Sequence, residues 1–164
     1  MLEIARRLNA LDWLQLIFIA GRNLKLEAEL RKMRFRIPVH IEGFTSQMSR
    51  YMQMSDFFIG KPGPGSLSEA LFMGLPVIVE RNAWMLPQER FNTDRVAEKE
   101  VGIVVRSFRH IGQAVERLQD PAVFASYRVN ARRLRNRAVY EVITILESSL
   151  AKTKGEARPR EPYA

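Results

Sequence analysis

The segment Lys61-Pro62-Gly63-Pro64-Gly65-Ser66 has the residue types of an anion-binding turn. Gly63 and Gly65 carry no Cβ, so a phosphate can approach their backbone closely. Pro62 and Pro64 fix φ and stiffen the loop, which lowers the entropy lost on binding. The loop delivers the chain into a helix at Ser66 or Leu67, where unpaired amides and the helix dipole favour an anion. Lys61 adds a positive charge just upstream. The same residues also suit a rigid turn with no ligand. The segment is neither a Walker A loop nor a G-x-G-x-x-G fingerprint.

Glu69 has two uses open to it. Ser66-Leu67-Ser68-Glu69 has the S-x-x-E spacing of a capping box, in which the carboxylate folds back on the helix start. Alternatively, Glu69 reaches outward and accepts hydrogen bonds from vicinal hydroxyls, such as those of a ribose. A second polar cluster, Pro87-Gln88-Glu89-Arg90-Phe91-Asn92, puts Gln88, Glu89 and Asn92 around the first turn of another helix. Their spacing lets them face one cleft, and two amides with a carboxylate suit a polyol. An ordinary polar helix start, with Glu favoured by the dipole, accounts for the same residues.

Both clusters need strands and helices to hold them. Leu2 to Leu11 repeats apolar residues at helical spacing, and Leu14 to Ala20 reads as a strand buried on both faces. Asn23 is placed to cap a helix over Leu24 to Met33. Ile37 to Glu42 is a second strand with Pro38 near its start, where a missing donor is tolerated. Gly43-Phe44-Thr45 turns the chain into a short helix over Ser46 to Met54. Phe57 to Ile59 and Pro76 to Val79 are the strands on either side of the Gly-Pro loop. After an Arg81 to Leu86 loop, Pro87 opens a helix to Glu100 whose few apolar residues are Phe91, Val96 and Ala97. Val101 to Val105 is the fifth strand, and Phe108 to Leu118, Pro121 to Arg137 and Ala138 to Ala151 are helices.

Five alternations of strand and helix, with connections that must cross over right-handed, predict an α/β fold: a Rossmann-like parallel sheet with helices on both faces. The domain spans 1–151, and 152–164 is expected to be a disordered basic tail. In such sheets ligands bind beyond the carboxyl ends of the strands. The loops after Glu42, Gly60 and Glu80 all fall at that edge.

A chain of 164 residues is one domain by length and buries ~70% of its unfolded surface. It has no cysteine, and its two histidines, His40 and His110, are too far apart in sequence to suggest a metal site. No apolar run approaches the ~20 residues of a membrane-spanning helix. The N-terminus lacks a signal peptide's apolar centre, which makes a cytoplasmic location the default expectation. The formal charge of +8 concentrates in Arg31 to Arg36, Arg128 to Arg137 and Lys152 to Arg160. The middle cluster is amphipathic, with Phe124, Tyr127 and Leu134 on one helix face. None interleaves aromatic and basic residues as a base-stacking surface does, so nucleic acid is not expected. An anionic membrane surface is compatible with these clusters. Trp84-Met85-Leu86 is an apolar loop that either packs under the domain or meets a lipid.

Four motifs share one order and spacing: G-F-T at Gly43 to Thr45, D-F-F-I-G-K-P-G-P-G-S-x-S-E-A at Asp56 to Ala70, G-L-P-V-I at Gly74 to Ile78, and P-Q-E-x-x-N at Pro87 to Asn92. Together they resemble the C-terminal, donor-binding half of GT-B glycosyltransferases of the family 28 type. That branch contains monogalactosyldiacylglycerol synthases, processive diacylglycerol glucosyltransferases and the peptidoglycan lipid N-acetylglucosaminyltransferase. The resemblance runs from about Leu14 to Val105 and more weakly to Leu150.

The resemblance implies a UDP-sugar as substrate, with no cofactor and no bound metal. Backbone around Phe44 and Thr45 would meet the uracil; Gly63, Gly65 and Ser66 the diphosphate; Glu69 the ribose hydroxyls; Gln88, Glu89 and Asn92 the hexose. Electrostatic stabilisation of the departing UDP, with a general base for the acceptor hydroxyl, is the implied mechanism. The chain departs from the family in two ways. Set beside the family, these 164 residues are expected to lack the acceptor-binding N-terminal domain, which would carry the base, and the first strand of the donor half. In a 3-2-1-4-5-6 sheet that strand is interior, so its loss unpairs backbone groups at ~1–3 kcal/mol each if buried. The expectation is a fragment or a miscalled start, marginal by itself and inactive alone.

The leading expectation is thus a donor-binding domain of a hexosyltransferase acting on a lipid acceptor. Its alternatives are a catalytic subunit that needs a membrane-anchored acceptor partner, a UDP-sugar 2-epimerase, and a non-enzymatic basic protein that binds RNA or membrane. The location expected is cytoplasmic, at the inner face of a membrane.

Overall fold

Five short apolar runs become five parallel strands in the computed structural model, which describes residues 1–134 and 138–155. The chain forms two compact units, Met1–Leu134 and Arg135–Ala164. The first unit alternates α1 (Leu2–Leu8), β1 (Leu16–Ile19), α2 (Leu24–Lys32), β2 (Val39–Glu42), α3 (Met48–Gln53), β3 (Phe58–Gly60), α4 (Pro64–Phe72), β4 (Val77–Glu80), α5 (Pro87–Glu98) and β5 (Gly102–Val105). A 3₁₀ turn (Phe108–His110), α6 (Ile111–Arg117) and α7 (Pro121–Arg133) follow. The second unit contains α8 (Ala138–Gly155). The helix therefore covers the first residues of the tail expected from Lys152, and the rest of that tail lies outside the described residues.

The strands pair in two parallel sheets, β1 with β2 and β3-β4-β5. Among the described residues no strand pairing links the two sheets. One apolar cluster joins the two sheets: Leu16 and Phe18 of β1, Ile78 of β4 and Val105 of β5 pack with Ile4, Ala5 and Leu8 of α1 and Ile111, Ala114 and Val115 of α6. On the opposite face Val77 and Val79 pack with Leu67, Ala70 and Leu71 of α4, Val96 of α5 and Ala131 of α7. The period-two alternation of Val77, Ile78 and Val79 thus feeds both cores, as in a sheet with helices on each side.

β1 departs from this pattern. It was expected to be buried on both faces, yet Ile17 is 36% exposed between buried Leu16 and Phe18. Its two-stranded sheet is covered fully on one side only. Elsewhere, local chemistry explains the element ends. The Asn23 side chain accepts a hydrogen bond from the Leu26 amide at 3.0 Å and caps α2. Asp120 does the same for α7, with Pro121 in the first turn. Gly102 is fixed by packing: a Cβ there would lie 1.9 Å from the Val77 carbonyl oxygen.

The helix after the Gly-Pro loop begins at Pro64, earlier than the Ser66 or Leu67 expected from sequence. Proline is pre-organised for the first helical position, and Gly63, with extended backbone, becomes the residue before it. Glu69 consequently sits in the second turn, out of reach of the helix start, and the capping box does not form. In α5 the buried residues are Thr93 and Val96, whereas Phe91 and Ala97 are exposed. Thr93 satisfies its hydroxyl on the Arg90 carbonyl at 2.8 Å.

Candidate functional site

Three strand ends converge at one edge. β2 runs into Gly43-Phe44-Thr45, β3 into Lys61-Pro62-Gly63, and β4 into the 81–86 loop that leads to α5. Every predicted site residue is on one of these loops or on the helix that follows it.

The start of α4 is open. Pro64 has no N–H, and the first amide to pair is Leu67, which donates to the Gly63 carbonyl at 3.2 Å. The Gly65 and Ser66 amides have no partner, and α4 has no side-chain cap. A Cβ built on Gly63 or Gly65 meets nothing within 4 Å. These glycines therefore face free space large enough for a ligand oxygen to reach the backbone. Lys61 and Glu69 are both exposed, and the Glu69 carboxylate forms no hydrogen bond or ion pair.

The start of α5 is closed. Glu89 Oε2 accepts a hydrogen bond from the Leu86 amide at 3.2 Å, which is the backward half of a capping box; Leu86 has no side-chain acceptor to return it. Asn92 Nδ2 donates to the Pro62 carbonyl at 2.7 Å and so ties α5 to the Gly-Pro loop. Lys61, Pro62, Glu80, Asn82, Trp84, Met85 and Glu89 line a cleft of about 140 Å³ between the two helix starts. Gln88 is exposed and does not line it. Of the three residues expected around a hexose, then, Glu89 borders the cleft, Asn92 braces it and Gln88 stands outside.

Further polar contacts organise the 81–86 loop. Glu80 accepts from the Phe108 amide at 2.8 Å and from Asn82 at 3.2 Å. Arg81 pairs with Asp94 of α5. Within the apolar stretch Trp84-Met85-Leu86, Met85 is buried, while Trp84 is 95% exposed and Leu86 also faces solvent.

At the β2 end, Phe44 is 63% exposed, and the Arg22 guanidinium lies 4.6 Å from its ring centroid. Thr45 Oγ1 accepts from the Gln47 amide at 3.0 Å. Arg22 was not among the residues expected at the site. It lies three residues past the end of β1, whose carboxyl end is at the same edge as that of its parallel partner β2, and that position was the available signal. Glu42 and Tyr51 were also missed. The Tyr51 hydroxyl donates to Glu42 Oε2 at 2.6 Å, which holds the Glu42 carboxyl below the usual carboxylate range, helped by His40. The same bond raises the Tyr51 phenol above its ordinary value. Their contact spans a turn and part of a helix, and no periodicity announces it. Among the described residues no group of three His, Asp or Glu could hold a metal ion, and no helix is long and apolar enough to cross a membrane.

The model of the glycosyltransferase family 28 C-terminal domain matches residues 1–107. The probable monogalactosyldiacylglycerol synthase 3 of Oryza sativa subsp. japonica is 37% identical over 107 residues, covering 65% of this chain and 21% of that protein. Monogalactosyldiacylglycerol synthase 3 of Arabidopsis thaliana is 39% identical over 101 residues, 62% of this chain and 21% of its own. The chain thus spans about a fifth of the length of these curated relatives. Among solved structures, WaaG, a glycosyltransferase involved in lipopolysaccharide biosynthesis, superposes with a TM-score of 0.63 at 20% identity, over 82% of this chain and 38% of that one. The Streptomyces sp. SF2575 glycosyltransferase SsfS6, complexed with thymidine diphosphate, gives 0.52 at 20% identity, over 82% and 41%. At that identity the likeness is one of fold: a mixed α/β domain of the GT-B C-terminal kind.

Proposed function

The chain belongs to the glycosyltransferase family 28 C-terminal domains, and from that membership we propose that it binds the UDP-sugar donor of an enzyme that transfers a hexose or N-acetylhexosamine to a lipid-type acceptor. The open start of α4 carries this proposal. Two unpaired amides, unfilled space over Gly63 and Gly65, and Lys61 beside them make a place for a diphosphate. Glu69, one turn further and without a partner, is free to accept hydrogen bonds from ribose hydroxyls. The exposed Phe44 and the Thr45 backbone border the base, and the cleft beside Glu89 takes the hexose, with Asn92 bracing its wall; Gln88, outside the cleft in the free protein, would have to turn toward the sugar to contact it.

The chemistry follows from charge. The acceptor hydroxyl oxygen attacks the anomeric carbon while the bond from that carbon to the β-phosphate oxygen breaks. Negative charge grows on the departing UDP, and the Gly65 and Ser66 amides, the α4 dipole and Lys61 stabilise it. The hydroxyl proton passes to a general base on the acceptor side, supplied by an acceptor-binding domain or a partner subunit. No cofactor is needed for these steps. A cytoplasmic position at the inner face of a membrane fits a lipid acceptor, and the net charge of +8 favours an anionic surface.

Isothermal titration of the 164-residue chain with UDP is the test. Binding of UDP, accompanied by a rise in Tm at saturating ligand, is expected. Absence of binding by UDP and by every other nucleoside diphosphate would overturn the proposal.

A further inference from the structure

Glu42 is the last residue of β2, and its two carboxylate oxygens do different things. Oε1 accepts from the Gly43 amide at 3.1 Å, the first peptide of the Gly43-Phe44-Thr45 loop. Oε2 accepts from the Tyr51 hydroxyl at 2.6 Å, which anchors it to α3, the helix that follows the same loop. His40, two residues back on β2, stacks on the Tyr51 ring with centroids 5.8 Å apart, and its Nε2 lies 3.4 Å from Oε2. Gly43 is held on its other side as well, since its carbonyl accepts from the Gly21 amide at 3.1 Å. Behind it stands Glu27, close enough that a Cβ on Gly43 would come within 2.8 Å of its Oε2. Arg31 fixes Glu27 and also donates to the Ile41 carbonyl at 2.9 Å.

The root of the loop is thus clamped while its tip, Phe44, is left exposed under Arg22. A surface loop of three residues gains nothing in core packing from such a clamp, because Phe44 points to solvent. What the clamp fixes is the direction of the Phe44 and Thr45 backbone groups. Pre-setting that direction removes ordering entropy that a ligand would otherwise have to supply.

From this geometry we infer that Glu42 and Tyr51 are positioning residues for nucleobase recognition: they hold the Gly43–Thr45 loop in the orientation that reads the base, and neither touches the donor. The inference rests on the donor-site proposal above. It separates base recognition from diphosphate recognition, which belongs to α4 and shares no hydrogen bond with this clamp.

Titrations of the full chain with UDP, ADP and inorganic pyrophosphate test it, for the wild type and for Tyr51→Phe, Glu42→Ala and Glu42→Gln. Tyr51→Phe keeps the ring on His40 and removes the hydroxyl, with its bond to Glu42 and its 3.5 Å contact to His40 Nε2. It is expected to weaken UDP by about three- to tenfold, because the lost bond orders the loop and does not itself touch the ligand, and to lower the UDP-to-ADP ratio by the same factor. Pyrophosphate binding should not change. Glu42→Ala should do the same more strongly, and Glu42→Gln, which keeps an acceptor for the Gly43 amide, should restore most of the UDP affinity. Equal losses for UDP and pyrophosphate would mean a merely structural role and would overturn the inference. So would unchanged UDP affinity in Tyr51→Phe and Glu42→Ala. If the wild type bound pyrophosphate but did not prefer UDP over ADP, the loop would not read a base and the inference would fall while the diphosphate site stood. If it bound none of the three, the donor-site proposal itself would fall.

Discussion

Two helices begin at the same edge of this sheet, each with proline at its first position and a glutamate soon after, and they reach opposite states. In α4 the glutamate is Glu69, five residues past Pro64; in α5 it is Glu89, two residues past Pro87. At the third helical position a carboxylate can fold back to the residue before the helix, and Glu89 does so on the Leu86 amide. In the second turn it cannot, and Glu69 stays free. One helix start keeps only the Gln88 amide unpaired, since the Glu89 and Arg90 amides both donate to the Leu86 carbonyl, and is suited to bracing a wall. The other keeps unpaired amides and a carboxylate available, which is a standing cost to the fold and a resource for a ligand. Asn92, donating to the Pro62 carbonyl, lets the closed end hold the loop of the open one.

Gly65→Asp would break this contrast most severely. The new carboxylate meets no protein atom within 4 Å of its Cβ, and it sits where the α4 dipole welcomes negative charge. Stability should hold or rise by ~0.3–1 kcal/mol. UDP, by contrast, would bring its diphosphate to the same spot, where like charges ~4 Å apart repel by ~4 kcal/mol at a surface-like dielectric. Loss of UDP binding by more than about a hundredfold, with Tm unchanged or higher, is expected. Unchanged affinity by titration would mean that the open start of α4 is not where the diphosphate binds.

Glu69→Ala comes next. Since Glu69 has no partner in the free protein, thermal stability should stay put while UDP affinity falls about ten- to a hundredfold, the range for hydrogen bonds to a charged group. 2′-Deoxy-UDP should bind the variant and the wild type more nearly alike. A drop in Tm without a drop in affinity would return Glu69 to a structural role.

Much of this was legible in the residues. Apolar runs at Leu16–Ile19, Val77–Glu80 and Gly102–Val105 are short and nearly continuous, and Asn23 stands where a cap must be, so the elements and their order follow from local chemistry. The misplacement of α4 shows where locality fails. Ser66-x-x-Glu69 and Pro64 both propose a helix start, three residues apart in their consequence for Glu69, and sequence does not rank them. The backbone does, because proline's fixed φ costs nothing at the first position. The exposed face of β1 and the break in the sheet depend on which elements lie alongside, which no window of sequence contains. The Glu42–Tyr51 contact joins a strand to the next helix across a turn whose path had first to be known.

Glu89 should give the smallest effect and the finest division between the two helix ends. Glu89→Ala removes the bond to the Leu86 amide at an exposed helix start, which costs ~0.5–1 kcal/mol. For a domain of this size that is a fall in Tm of ~1–4 °C. Glu89→Gln keeps an acceptor and should keep most of the Tm. In both variants the affinity for UDP itself should be unchanged, because the proposed site gives the diphosphate and ribose to α4. The affinity for a UDP-hexose should fall toward that of UDP in Glu89→Ala, because on the same proposal the sugar alone reaches the cleft that Glu89 borders. If UDP affinity dropped along with Tm, the closed end would be shaping the open one through Asn92 and Pro62. The two helix starts would then be one site rather than a wall and a socket, and Asn92→Ala should reproduce the same loss.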